Sequence, residues 1–133
     1  MALGMGFVTP NIYDEWWHRD RTYMRHDFDA PYRSAETWLA ANTDPRDVIV
    51  TDNVVWTDLV HSLGRPQETT VWFTKVGVDP GVDATITSWR DIDYFVVSDI
   101  IAIGDMPAIL HEAIDNSTPV QSWGSGWQRI EIR

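Results

Sequence analysis

The stretch AETWLAANTDPRDVIVTDNVVWTDLVHSL, residues 35–63, constrains the fold more than any other part of the chain. It begins with helical spacing, breaks at an Asp-Pro pair, continues with the short apolar run of residues 48–50, and resumes helical spacing after Asp52. The residue before a proline is biased away from helix, and a short apolar run bounded by polar residues is typical of a strand covered on both faces. The stretch therefore predicts a helix, a buried strand and a second helix.

The flanking residues place the start and the buried face of the first helix. Asp29 and Pro31 mark its beginning, because proline suits the first helical position. Four residues further along have helical spacing and predict its buried stripe. These residues are Tyr32, Ala35, Trp38 and Leu39.

The rest of the sequence predicts a single α/β domain over residues 31–133, with a mixed sheet. About three parallel strands joined by helical crossovers are followed by a C-terminal antiparallel hairpin around Gly124-Ser125-Gly126. The last strand alternates like an edge strand with one wet face. Residues 1–30 predict an irregular arm or a membrane-proximal junction. The predicted strands are residues 48–50, 70–75, 94–98, 120–123 and 127–132, and the predicted helices cover residues 31–42, 53–63 and 105–116. Residues 79–88 predict a short helical or turn segment.

The composition restricts the classes of partner. Twenty acidic residues against ten basic ones give a formal net charge of −10. Nucleic acids and anionic lipid surfaces require a basic patch, so this balance disfavours both, and simple solubility is the plainer interpretation of the acidity. Cysteine is absent, so there is no disulfide framework and no thiolate zinc site. Eight tryptophans offer either core packing or, where exposed, surfaces for carbohydrate, protein or membrane.

The predicted parallel strands bring polar residues to one edge of the sheet. In an open α/β sheet, ligand sites usually form at the carboxyl ends of the strands. Ser98 is expected there together with the other polar residues, and two tryptophans flank the edge as stacking surfaces. Helix capping by Asp52, Asn53 and Asp79, and core packing of the tryptophans, remain the alternatives. The candidate ligand-binding residues are Asp52, Asn53, Trp56, Trp72, Lys75 and Asp99.

No pattern in the chain predicts a catalytic residue, a metal or a cofactor. Asp91-Ile92-Asp93 matches the DxD triplet of some sugar-nucleotide transferases, but it precedes the third strand, away from the expected edge. The four histidines lack metal-ligand spacing, and the GxSxG, GxxxxGK and GxGxxG patterns do not occur.

Four segments together carry a resemblance to a known family. The order AETWLAANTDPRDVIVTDNVVWTDLV, VWFTKVGVDPGV, SWRDIDYFVVSD and VQSWGSGWQRIEIR resembles the soluble C-terminal tail of actinobacterial polytopic glycosyltransferases of the GT-C type. These are similar to the dolichyl-phosphate-mannose protein mannosyltransferase group. The resemblance covers about residues 32–133.

This resemblance implies a soluble extracytoplasmic domain that follows many membrane helices of the same polypeptide. The family's catalytic acid lies in a loop between early membrane helices, so the resemblance transfers no catalytic residue to this chain. The implied role is recognition of an acceptor, a glycan or a partner beside the membrane-embedded active site. The aromatic segment before Tyr32 would be the junction with the last membrane helix.

Two other hypotheses remain open at the level of sequence. One is a free-standing α/β module that binds a sugar or another small ligand at the edge containing Asp52 and Lys75. The other is a small enzyme that uses the same carboxylates, although a general base needs a partner and a pocket that the sequence does not specify.

Overall fold

The computed structural model describes Arg21, residues 26–103 and residues 105–133. These residues form a mixed sheet of five strands with helices packed against it. Most of the predicted arm over residues 1–30 lies outside the described residues. The strands are β1 (Ile49–Thr51), β2 (Thr70–Trp72), β3 (Tyr94–Ser98), β4 (Gln121–Trp123) and β5 (Ile130–Ile132), and the helices are α1 (Ala30–Asn42), α2 (Asn53–Thr57), α3 (Pro80–Asp83), α4 (Asp99–Ile103) and α5 (Ala108–Asp115).

The sheet has the order β2-β1-β3-β5-β4. β1 pairs in parallel with both β2 and β3, whereas β5 pairs antiparallel with β3 and β4. Three parallel strands with helical crossovers and a C-terminal antiparallel pair confirm the predicted fold class. None of the helices in the described part of the chain has both the length and the apolar character that crossing a bilayer requires.

Alternate residues of the central strands divide the core between the two faces of the sheet. Ile49 and Val96 pack with the buried residues of α1 and α2, whereas Val50 and Phe95 pack with residues of α4 and α5. Such burial on both faces explains why the central strands are short and continuously apolar. α1 and α2 therefore lie on the same face, and α1 contacts the single π-helical turn, Asp58–Ser62, that extends α2.

Local sequence signals place the first two helices. Pro31 lies in the first turn of α1, and the helix ends at Asn42, three residues before Pro45, at the predicted position. Ala35 and Leu39 are fully buried, as predicted, and Tyr32 and Trp38 are half-buried at the margin of that core. Asp52 caps α2 through its side chain, which accounts for the abrupt change from strand to helix.

Several predicted boundaries were wrong. The second strand ends at Trp72, because residues Phe73–Lys75 turn into a 3-10 helix. The predicted last helix begins at Ala108, after Pro107, and a separate helix, α4, starts directly after β3. The last strand is not an edge strand: β5 lies between β3 and β4 with all three residues buried, and β4 forms the edge.

The buried Arg65 joins neighbouring elements at the amino-terminal edge of the sheet, opposite the carboxyl ends of the parallel strands. Its guanidinium donates to Thr43 Oγ1 at 2.7 Å and to the carbonyl oxygens of Asp44 and Asp47 at 3.0 and 3.2 Å. Burial lowers the pKa of Arg65, and the nearby Asp47 and Asp44 oppose that effect. This one side chain therefore ties the end of α1 to the start of β1.

Candidate functional site

Asp52 stands at the carboxyl end of β1, where the sequence predicted a ligand site. It is fully buried, and both of its carboxylate oxygens have partners. Oδ1 accepts from the backbone N–H groups of Val54 and Val55, each at 2.9 Å, and the Ser98 hydroxyl donates to Oδ2. The carboxylate is thus occupied in capping α2 and in linking β1 to the end of β3.

Tyr32 of α1 extends this contact toward the surface. Burial raises the pKa of the Tyr32 hydroxyl, and a hydrogen bond with Ser98 opposes that rise. The negative charges of Asp52 and Asp99 raise it further. Tyr32, Ser98 and Asp52 therefore form a polar chain that joins α1, β3 and β1 at the carboxyl edge.

The other predicted site residues occupy the same edge without forming one cluster. The indole N–H of Trp56 donates to the carbonyl oxygen of Thr70 at 2.8 Å, and Trp72 packs against the core. Lys75 and Asp99 are exposed, as is Asn53 at the start of α2. Among the described residues, no ion pair joins Lys75 to Asp52 or to Asp99. Most of the candidate residues are thus placed at the edge but act separately there.

A second polar feature lies between α1 and the extension of α2. Glu36 projects from α1 and is only 7% exposed. Its Oε1 is buried and has no hydrogen-bond donor in the described part of the molecule. The pKa of Glu36 is raised to about 7. Burial is the largest cause, followed by the charge of Asp58 and a hydrogen bond with that carboxylate. Asp52 adds to this effect, whereas the positive charge of Arg33 opposes it.

The hydrogen bond between Glu36 and Asp58 requires one shared proton. Two carboxylates in contact repel each other unless one is protonated, and the raised pKa makes Glu36 the group that holds the proton. In that state Glu36 donates to Asp58 and still offers acceptor capacity to a third group. The Ser62 hydroxyl also donates to Asp58, at 3.3 Å.

This pair of carboxyl groups lines an open groove of about 610 Å³. The volume falls within the range of small-molecule sites, about 300 to 1,000 Å³. The walls combine apolar surface with charged and hydroxyl groups from both helices. They are formed by Arg33, Glu36, Thr37, Ala40, Ala41, Asp58, Ser62 and Leu63, which we call the α1–α2 groove.

Metal chemistry has no support among the described side chains. In Arg21, residues 26–103 and residues 105–133, no group of three or more histidine and acidic residues is arranged to hold an ion. The Asp91 carboxylate accepts from the backbone N–H groups of Thr87 and Ser88, and Asp93 accepts from that of Val48 at 2.8 Å. Asp91 therefore stabilises a turn, and Asp93 joins the start of β3 to the start of β1; both lie at the amino-terminal edge, where the sequence placed them.

Comparison of the chain with protein-family models, curated proteins and solved structures gives no match. The assignment of a function therefore depends on the chemistry of the side chains described above. Among them, the groove around Glu36 is distinguished by an unsatisfied buried acceptor and a perturbed pKa, two properties that are common at functional sites.

Sequence reasoning missed Glu36 and Asp58, although a signal for Glu36 was present. Tyr32, Ala35 and Leu39 follow the buried stripe of α1, and position 36 falls on the same stripe, four residues after Tyr32. An acidic residue at a buried helical position is unusual unless it has a partner. Asp58 carried a weaker signal, because it lies beside the stripe of α2, next to the buried Leu59.

Proposed function

We propose that this chain is a non-catalytic recognition domain that binds a glycan, or another polyhydroxylated acceptor, in the α1–α2 groove. We further propose that it is the soluble, extracytoplasmic part of a membrane-embedded glycosyltransferase, with the transmembrane part of the same polypeptide as its neighbour. The observation that carries the binding proposal is the buried Oε1 of Glu36, which lacks a donor while its side chain lines an open groove.

The energetic argument starts from that unsatisfied atom. A buried acceptor without a donor costs about 1 to 3 kcal/mol, and a rotation of the Glu36 side chain toward the groove that it lines would let a sugar hydroxyl recover this cost. Thr37 and Ser62 add hydroxyl groups, and Arg33 adds a donor, around an apolar floor that includes Ala40. Sugars present both hydroxyl groups and apolar C–H faces, so they suit a wall of this mixed character.

The expected affinity for a single sugar is weak. A ligand of about 13 heavy atoms that gains about 0.3 kcal/mol per atom binds with about 4 kcal/mol, which corresponds to a Kd of about 1 mM. A longer glycan would bind more tightly by contacting the groove at several points. Affinity in this range suits an acceptor that must be released after each transfer.

The glycosyltransferase setting is supported by the resemblance of residues 32–133 to the tails of GT-C enzymes. In such a protein the reaction occurs at the membrane-embedded part, and this chain would position the acceptor. The buried and fully bonded state of Asp52 agrees with a role other than catalysis, because that carboxylate cannot reach a substrate.

Titration of the ¹⁵N-labelled chain at pH 6 with methyl α-D-mannopyranoside and its oligomers, followed through the backbone amides of Thr37 and Ser62 in the groove, tests the binding proposal. Glu36→Leu fills the same space but removes the acceptor, so we expect at least tenfold weaker binding. Glu36→Gln keeps a neutral donor and acceptor, so binding should persist, and Glu112→Gln on the exposed face of α5 is the control. Equal affinities for the native chain and Glu36→Leu would refute the site.

A free-standing sugar-binding module is the second candidate, and it would use the same groove. The two candidates differ in the polypeptide that cells contain. An antibody against this chain should detect a protein far larger than 15.3 kDa in the membrane fraction if the glycosyltransferase setting is correct. A band near 15 kDa in the soluble fraction would instead support the free-standing module.

A further inference from the structure

The hairpin between β4 and β5 presents an exposed aromatic ring at the carboxyl edge of the sheet. Trp127 is 61% exposed, and its ring stacks against Phe28 with centroids 5.5 Å apart and planes 27° from parallel. The His26 ring contacts the Phe28 ring, and the two centroids are 5.0 Å apart. One side of the indole is thus supported by a neighbour, while most of its surface remains accessible to solvent.

The backbone around Trp127 holds the ring in a defined position. The residue lies in the 3-10 turn Gly126–Gln128, and Gly124 and Gly126 adopt positive φ angles of 73° and 57°. A Cβ atom at Gly124 would lie 2.3 Å from the carbonyl oxygen of Gln128, so the two sides of the turn are in close contact. A ring that is fixed before binding loses little conformational entropy when a ligand stacks on it.

A cleft with polar walls reaches the same turn. Gly126, adjacent in sequence to Trp127, lines a cleft of about 250 Å³ together with Asp99 and Arg129. Arg129 donates to Glu131 at 2.6 Å while its side chain remains mostly exposed, and the Asp99 carboxylate is exposed. The cleft is smaller than a typical drug-sized pocket, and it offers the carboxylates of Asp99 and Glu131 as acceptors and the guanidinium of Arg129 as a donor.

We propose that Trp127 is a stacking platform for a pyranose ring whose hydroxyl groups reach Asp99 and Arg129 in the adjacent cleft. The C–H bonds on one face of a pyranose carry a small positive charge, which complements the negative face of an indole ring. This site shares no lining residue with the α1–α2 groove and does not depend on it.

The surroundings of Trp127 favour a sugar over a lipid surface. Its neighbours in the turn are glycine, serine and glutamine. Apart from Val97, Ala102 and Gly126, the cleft is lined by polar groups, and its one basic side chain, Arg129, is paired with Glu131. Insertion into a membrane interface is typically carried by several apolar residues and assisted by basic ones, and this chain has a net charge of −10.

The test is a titration of the ¹⁵N-labelled chain monitored at the indole N–H signals. Trp127→Ala assigns the Trp127 signal by its disappearance. Methyl α-D-mannopyranoside and methyl β-D-glucopyranoside are the probes, and mannitol, an acyclic polyol without a flat ring face, is the matched ligand control. We expect a saturable shift of the Trp127 signal with at least one pyranoside and none with mannitol.

The variants separate this platform from the groove. Pyranoside binding at this site is followed through the backbone amides of the cleft, and Trp127→Ala should weaken it at least tenfold. Val120 is an exposed apolar residue just before β4, and Val120→Ala should leave the binding unchanged. Glu36→Leu should also leave the Trp127 shift intact. The proposal is overturned if no pyranoside shifts this signal, if mannitol shifts it equally, or if only phospholipid vesicles do so.

Discussion

The Ser98 hydroxyl at the end of β3 donates to Oδ2 of Asp52 at the end of β1, across two neighbouring parallel strands. Both residues are buried, and the second oxygen of Asp52 caps α2. A single carboxylate therefore connects two strands and a helix. Its loss affects strand registration and helix initiation together.

Substitutions at this contact should destabilise the fold strongly. We expect Ser98→Ala to lower the free energy of unfolding by about 1.5 to 3 kcal/mol, because it leaves a buried charge without one of its donors. Asp52→Ala should cost about 2 to 4 kcal/mol, since it removes a helix cap as well. Urea denaturation measures both values.

The appropriate control is another capping aspartate without a buried partner. Asp79 accepts from the backbone N–H of Gly81 at 2.9 Å at the start of the short α3. Asp79→Ala should cost only about 0.5 to 1 kcal/mol. A loss at Asp52 no larger than that at Asp79 would mean that the Ser98 bond contributes nothing.

The contacts of Asp52 show which features of the fold the sequence could predict and which it could not. The periodic apolar runs predicted three parallel strands and a closing antiparallel pair, because strand burial depends mainly on local pattern. They also placed Asp52 at the junction of β1 and α2. They could not reveal that Ser98 would occupy its remaining oxygen, because that contact depends on how β3 aligns beside β1.

The errors have related causes. The sequence analysis did not predict α4, because it assigned the polar pair Ser98-Asp99 to the end of β3 and not to the start of a helix over the apolar residues that follow. β5 was taken as an edge strand because Arg129 and Glu131 alternate with apolar residues. In the structure Glu131 is buried, and Arg129 and Arg133 both donate to its carboxylate, so its charge does not require solvent.

Two glycines provide a test of the hairpin that carries Trp127. Gly64 and Gly124 have similar positive φ angles, 70° and 73°, but a Cβ at Gly64 would meet no atom within 4 Å. Gly64→Ala should therefore cost about 1 kcal/mol, the price of the left-handed conformation alone. Gly124→Ala should cost clearly more, because its Cβ would collide with the Gln128 carbonyl. Thermal unfolding of both variants is the measurement, and equal losses would contradict the close contact.

Removal of the Arg65 side chain should destabilise the fold strongly. Arg65→Ala would leave the Thr43 hydroxyl and the Asp47 carbonyl oxygen without this donor, and the Asp44 carbonyl oxygen with only the Asp47 N–H, so we expect a loss of about 2 to 4 kcal/mol. Arg65→Lys should recover only part of it, because an ammonium group cannot reach the same acceptors as a planar guanidinium. Arg46, whose side chain is 91% exposed and pairs with Asp44, is the control. Arg46→Ala should cost less than about 0.5 kcal/mol in the same urea titration.

Glu36 should make the stability of this chain fall as the pH rises through neutrality. Its pKa is about 7 in the folded state and near 4.5 in the unfolded state, so between these values the folded state binds more protons. The stabilisation is present below about pH 4.5 and is lost as the pH rises through about 7. Because water enters the groove, we expect a loss of about 1 to 2 kcal/mol rather than the full amount implied by the pKa difference.

The same side chain predicts a conflict between stability and binding. Glu36→Leu removes the buried charge and its repulsion from Asp58, so this variant should unfold at a higher temperature than the native chain at pH 8.

Glu36→Leu should also lose the part of the pH dependence of stability between pH 5 and pH 8 that Glu36 contributes, as should Glu36→Gln. The difference in unfolding free energy between the native chain and each variant, measured by urea titration at pH 5 and pH 8, isolates Glu36 from the histidines. If the difference in unfolding free energy between the native chain and Glu36→Leu is the same at pH 8 as at pH 5, the carboxyl group of Glu36 does not titrate in this window. A more stable Glu36→Leu that no longer binds pyranosides in the α1–α2 groove would identify Glu36 as a residue retained for recognition at the expense of the fold.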